Sequence, residues 1–180
     1  MQWASHEITT FFTVLALTGN PVFAVFSLPG SIFPDVCEFW GSPKTSWKRH
    51  RTYGHLTGMW LIATIFLFLF SLQTQVYDYL SCFTIRNLLF RTHEYLFLDF
   101  RHLYTSGNIL SCIMVFLAWF SFGALIHCIE DAFTGRVPVF NPGKRSLLFG
   151  HIITGSFVEH VLVFLYVAWC IIWIYLHQFR

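Results

Sequence analysis

The chain has 180 residues, of which 56% are hydrophobic, 20% aromatic and only 11% charged. Soluble domains are about one quarter charged, and 22 Phe would overfill the core of one this small, so the composition points to an integral membrane protein. A formal net charge of +2 is too small to mark a nucleic-acid binder, and five Cys in mostly apolar runs read as small buried hydrophobes, not as a disulfide framework. The opening residues, Met1 to Glu7, hold an acid and no Lys or Arg, so they do not form a secretory signal.

Ser5 or Thr9 is a candidate cap for a first helix ending near Thr18, followed by the turn Gly19-Asn20-Pro21. A second apolar run, Val22 to Phe33, contains Pro29 and Gly30. Each run is shorter than the ~30 Å hydrocarbon core, so residues 5–34 are predicted to form a tilted or re-entrant helical hairpin. Residues 38–54 form a basic, His-rich loop carrying Lys44, Lys48, Arg49 and Arg51. A transmembrane helix is predicted over 55–76. A mixed segment over 77–107, with apolar and charged residues interleaved, reads as an interfacial helix or helical loop on the far side. Residues 108–133 span back, 134–150 are a loop, and 151–177 make a last crossing. The predicted fold is a single all-α, membrane-embedded domain over 1–180. It is a small helical bundle with a short N-terminal hairpin, three long transmembrane helices and an interfacial segment.

The chemistry concentrates where the fourth apolar segment ends, in Gly123-Ala124-Leu125-Ile126-His127-Cys128-Ile129-Glu130-Asp131. His127 and Asp131 are four apart and share a helical face, so one cation or one proton could engage both. Ionisable groups near membrane depth are usually paired, turned to protein, or functional. The predicted topology brings His6, Asp35, His50, His55, His127, Asp131 and His151 to segment ends on one membrane side. Seven of the eleven Lys and Arg lie there too (Lys44, Lys48, Arg49, Arg51, Arg136, Lys144, Arg145), which makes that side cytoplasmic by the positive-inside rule.

Imidazole nitrogen and carboxylate oxygen are ligands for divalent metals such as zinc. The candidate ligands are His6, Asp35, His55, His127 and Asp131, with His50 and His151 in reserve. The run Lys48-Arg49-His50-Arg51-Thr52-Tyr53-Gly54-His55 combines two His with three cations, so it suits a phosphate beside a metal, and Arg51 offers an oxyanion a bidentate fork. The alternative is a topology signal beside anionic head groups, which explains the cations but not both His. His93, Glu94, Asp99 and His102 fall on the far side and read as solvated residues. Glu159-His160 is placed nine residues into the last helix, either supporting the ligands from behind or forming a structural pair.

These motifs resemble, in order, those of the YdjM-like family of LexA-regulated, membrane-bound, predicted metal-dependent hydrolases. The matching stretches are Ser5-His6, Phe33-Pro34-Asp35-Val36-Cys37-Glu38, His50-Arg51-Thr52-Tyr53-Gly54-His55, Gly123 to Thr134 with the His-x-x-x-Asp pair, and Gly135-Arg136-Val137-Pro138. They cover residues from about 5 to 142. The chain departs from the pattern at Cys37, which stands where the family has a second Asp, and at Gly54 and Leu56 around the second His. Cys37 then implies a softer ligand, a carboxylate shifted to Glu38, or no ligand at that place. The family is distantly similar to zinc-dependent phospholipase C and single-strand nucleases.

The resemblance implies a hydrolase of the prokaryotic inner membrane acting on a phosphoester, with one or two divalent ions, zinc first among them. His6, Asp35, His55, His127 and Asp131 would be the ligands. Asp35 would orient the attacking water, with His50 and Arg51 completing the catalytic group. Arg51, Lys144 and Arg145 would meet the substrate phosphate, and Glu38, Thr134, His151 and Glu159 are accessory candidates. A lipid head group at the membrane face is the expected substrate, and no nucleic-acid partner is expected. Two other readings stay open: a haem protein using His127, His151 and His160 as axial ligands, and a degenerate family member serving as an adaptor.

Overall fold

The computed structural model describes residues 2–41, 51, 53–90, 106–147 and 152–178. Among these, seven helices run in the order α1 (Trp3–Thr18), α2 (Pro21–Gly41), α3 (Thr57–Ser71), α4 (Gln75–Ser81), α5 (Ile85–Phe90), α6 (Ser106–Thr134) and α7 (Phe157–Gln178). A two-stranded antiparallel ribbon, β1 (Val137–Pro138) with β2 (Arg145–Leu147), follows α6. The predicted all-α class holds, with that ribbon as the one addition among the described residues.

The first turn forms as its residues dictate. Gly19 closes α1 in the left-handed conformation, φ 65°, where a side chain would be strained. Asn20 then caps α2 by accepting from the backbone N–H of Val22 at 2.9 Å, and Pro21 starts the helix where its missing N–H costs nothing.

The second arm departs from prediction. It is not a half-length run ending near Phe33 but a 21-residue helix passing through Pro29 and Pro34 to Gly41. At ~1.5 Å per residue it covers about 32 Å, so the hairpin's arms are unequal. Asp35 and Glu38 therefore sit on a helix, one turn apart, and not in a loop. The expected third long span is also shorter than predicted: α3 has 15 residues, or about 22 Å. Among the described residues, two helices are long and apolar enough to cross a membrane, over Ile109–Thr134 and Phe157–Gln178. The last begins at Phe157, later than the predicted 151.

Helices α2 and α6 pack in parallel, rung for rung. Phe23 stacks on Trp119 at 4.8 Å, Ser27 meets Gly123, and Ser31 meets His127. Small residues make this approach possible. A Cβ on Gly30 would strike the carbonyl of Phe120, and one on Gly123 would strike the carbonyl of Ser27. Ser27 and Ser31 turn their hydroxyls back to the carbonyls of Ala24 and Leu28, each at 2.7 Å, so neither hydroxyl is stranded between the helices.

Helix α7 packs against α1 in the same direction, since the Gln2 backbone N–H reaches Glu159 at 3.0 Å at one end while Gly19 lies against Gln178 at the other. Glu159 is thus not nine residues deep. It lies in the first turn of α7 and accepts from Gly155 N–H at 2.8 Å, while its own N–H donates to Ser156 Oγ at 3.2 Å. This is a capping box tied to α1. One end of the bundle accordingly gathers the starts of α1, α3 and α7 with the ends of α2 and α6. At the other end, α5 meets the first turn through Ile85 N–H to the Gly19 carbonyl at 2.7 Å, while residues 91–105 of the predicted far-side segment lie outside the described residues.

Candidate metal centre

At the gathered end three imidazoles and two carboxylates converge. His6, His55 and His127 are fully buried and Asp131 is 1% exposed. The in-register packing of α2 on α6 sets Asp35 beside His127 and Asp131. Loop residue His55 arrives because Gly54 passes over the end of α2, where a Cβ would strike the Pro34 carbonyl. The Gly54 carbonyl is then held by Trp60 Nε1–H at 2.7 Å.

Each imidazole is oriented through its Nδ1. His127 Nδ1–H donates to the Ser31 carbonyl at 2.5 Å, His6 Nδ1 lies 2.6 Å from Glu130 Oε2, and His55 Nδ1 lies 3.1 Å from Glu38 Oε1. Glu130 is in turn held by Thr9 Oγ1. With His127 and His6 hydrogen-bonded at Nδ1, and His55 Nδ1 facing Glu38 as an ion pair outside hydrogen-bond geometry, all three rings turn Nε2 to the centre. His55 Nε2 is 3.1 Å from His127 Nε2, 3.3 Å from Asp35 Oδ1 and 3.3 Å from Asp131 Oδ2, and His127 Nε2 is 3.6 Å from Asp35 Oδ1. His6 Nε2 is 3.4 Å from the other oxygen of Asp131 and has no hydrogen-bond partner among the described residues.

Ligands about 2.0–2.1 Å from a tetrahedral zinc ion stand about 3.3 Å apart, which matches these separations. The group Asp35, His55, His127 and Asp131 offers four atoms all within 4.8 Å of one another and could hold a metal ion. Two imidazole Nε2 lone pairs facing at 3.1 Å repel unless a cation or proton lies between them. Burial by itself would lower the pKa of His55, but Asp131, Asp35 and Glu38 outweigh it and raise the pKa to about 10. Without a metal, a proton between the two rings would relieve that repulsion, and an entering cation would displace it.

The carboxylates also have outer partners. Trp3 Nε1–H donates to Asp35 Oδ2 at 2.9 Å, and Arg51 Nε–H donates to Asp131 Oδ2 at 2.8 Å. Arg51 Nη2 reaches Thr134 Oγ1 at 2.6 Å, so the fork expected to meet a substrate phosphate is turned inward on Asp131 and Thr134. Glu38 joins the site through His55, and Thr134 joins through Arg51. Neither Cys37 nor Glu38 is among the grouped residues; Glu38 lies behind His55, on its Nδ1 side.

Other predicted residues lie elsewhere. Lys144 is exposed in the turn before β2. Glu159 belongs to the α7 cap, and His160 is exposed on the outer side of α7. His50, His151, His93, Glu94, Asp99 and His102 lie outside the described residues, as does the side chain of Arg145. Ser31, Trp3 and Thr9 were not legible as site residues. Ser31 acts through a main-chain carbonyl, which leaves no mark in a sequence, while Trp3 and Thr9 acquire their partners only through packing. No family model matches the chain, and no curated protein or solved structure shows significant similarity to it.

Proposed function

We propose that the chain is a membrane-embedded, metal-dependent hydrolase of phosphoesters, with the centre formed by His6, Asp35, His55, His127 and Asp131. The observation that carries this reading is the convergence of three buried Nε2 atoms, each ring oriented by a separate Nδ1 partner, on two carboxylates at ligand spacing. A structural polar cluster has no need for three imidazoles all turned the same way. Zinc suits the donor set of nitrogen and carboxylate oxygen. A divalent ion held by these residues would supply Lewis acidity and lower the pKa of a bound water towards neutrality.

The remaining functions fall to the chain. Asp35 has one oxygen directed inward and the other anchored on Trp3, which suits it to orient water and accept its proton. Glu130, hydrogen-bonded to His6, holds that ring in place. Lys144 and Arg136 are both exposed near this end, and Lys144 is the candidate for contact with a substrate anion.

Helices α6 and α7 support a multi-pass membrane setting, as do the exposed Phe164, Leu165, Trp169 and Ile172 of α7 and Ile62, Ile65, Phe66 and Leu69 of α3. The site then opens at head-group depth, which favours a lipid phosphoester. The order of motifs shared with the YdjM-like family supports the hydrolase class and a prokaryotic inner membrane, with the site on the cytoplasmic face. A haem reading fits less well, since His55 and His127 touch at 3.1 Å with no space for a macrocycle between them and His160 faces outward.

The test is elemental analysis of detergent-purified protein together with a panel of phosphodiesters and phosphomonoesters. His127→Ala and Asp131→Ala are each expected to lose metal and hydrolysis while still inserting in membranes. Unchanged metal stoichiometry in both variants would refute the ligand assignment, and full metal with no hydrolysis of any phosphoester would refute the substrate class.

A further inference from the structure

We propose that Arg51 is a tethered counter-cation of the metal centre: its guanidinium rests on Asp131 Oδ2, the oxygen facing His55, and limits how tightly a divalent ion is held. This rests on the metal-centre reading above. Four features of the chain serve to place that guanidinium. The backbone of Arg51 is in the left-handed region, φ 66°, which residues with a side chain seldom adopt. Its N–H is clamped by Glu38 Oε2 at 2.6 Å. Thr134 Oγ1 holds Nη2 while Nε–H bonds Asp131, and the side chain is only 13% exposed. Gly135 leaves the space that Nη1 occupies, and a Cβ there would meet it.

An arginine on a ligand carboxylate has two opposed effects. By orienting Asp131 it would favour metal binding, and partners of that kind are worth about 10–100-fold in affinity. By placing a full positive charge one carboxylate oxygen from a divalent cation, in a buried site, it disfavours binding. The repulsion between a unit and a double charge at that range is the larger effect, so Arg51 weakens the site on balance. It also stabilises the carboxylates of the metal-free protein, letting the pocket form before a cation arrives. An oxyanion that draws the guanidinium from Asp131 would then tighten the metal.

Co2+ uptake by the full-length protein in detergent, titrated against a competing chelator and followed by its visible absorption, tests this. Arg51→Met is expected to bind Co2+ at least ~10-fold more tightly than the parent. Arg51→Lys keeps the charge and is expected to stay within about threefold of the parent. Gly135→Ala, which pushes the guanidinium off Asp131, is expected to shift affinity in the same direction as Arg51→Met. In the absence of metal, Arg51→Met should melt at a lower temperature than the parent, with Co2+ restoring the difference. Unchanged or weaker Co2+ binding in Arg51→Met overturns the proposal in favour of an orienting role. Binding by Arg51→Lys as tight as that of Arg51→Met overturns it as well. If Arg51→Met does not fold, Gly135→Ala decides alone, tighter binding supporting the proposal and unchanged binding overturning it. A parent protein that takes up no Co2+ overturns the metal-centre reading itself, and this inference falls with it.

Discussion

A buried imidazole can serve as a ligand only if its proton is on the other nitrogen, and His55 depends on Glu38 for that. Glu38 Oε1 at 3.1 Å from Nδ1 keeps Nε2 turned to the centre and adds negative charge behind the ring. Glu38→Gln preserves the shape and removes the charge, so metal affinity is expected to fall by about 10–100-fold, measured by chelator competition. Affinity equal to the parent's would mean that Glu38 does not act on the metal through His55. The sign is opposite to that expected for Arg51→Met, because one substitution removes an anion and the other a cation. Of these residues, His127 and Asp131 were legible from their i, i+4 spacing alone, since a helix fixes that geometry. The service of Glu38 was not, because it depends on α2 continuing past Pro34. The inward turn of Arg51 depends on a backbone conformation that its side chain would lead no reader to expect.

Among the elements, the α2–α6 contact decides whether the site exists. Its closeness rests on Gly30 and Gly123, each facing a carbonyl of the partner helix. In Gly123→Ala the new Cβ would meet the backbone of Ser27, which cannot rotate away, so the helices must separate. The expected cost is about 1–3 kcal/mol of stability by chemical denaturation in detergent, with metal loss as the Ser31 carbonyl leaves His127. Wild-type stability and metal content together would show that the contact is looser than described. The capping box at α7 is a milder dependency. Glu159→Ala is expected to cost about 1 kcal/mol, and to leave metal content unchanged because Glu159 touches no ligand. Metal loss in that variant would restore Glu159 to the site. Sequence patterning found the first hairpin arm and the long helix through His127, both of which have sharp apolar limits. It misjudged the end of α2 because two prolines and a glycine read as a break, whereas a helix packed along a close neighbour tolerates them.

At the scale of the molecule, the ionisable residues of the site collect at one end while the flanks of α3 and α7 present bulky apolar side chains outward. The two observations belong together if the flanks face lipid and the site lies near the head groups. Helix α6, with 29 residues, is about 43 Å long, longer than a ~30 Å hydrocarbon core, so a crossing that begins at its first turns would leave its last turn, with Asp131, past the apolar zone. Leu165 separates this arrangement from a water-soluble bundle. It is 56% exposed, near the middle of α7, and its replacement removes little internal packing. In water, Leu165→Arg would be neutral or beneficial. At mid-depth in a bilayer, Arg adds about 2.5–3.5 kcal/mol to the free energy of inserting the helix. Leu165→Arg is therefore expected to reduce the share of protein that resists alkaline extraction from membranes, whereas Lys144→Ala, exposed at the site end, should not. A Leu165→Arg protein that appears soluble and folded, with its metal in place, would remove the membrane from this account while leaving the metal centre intact.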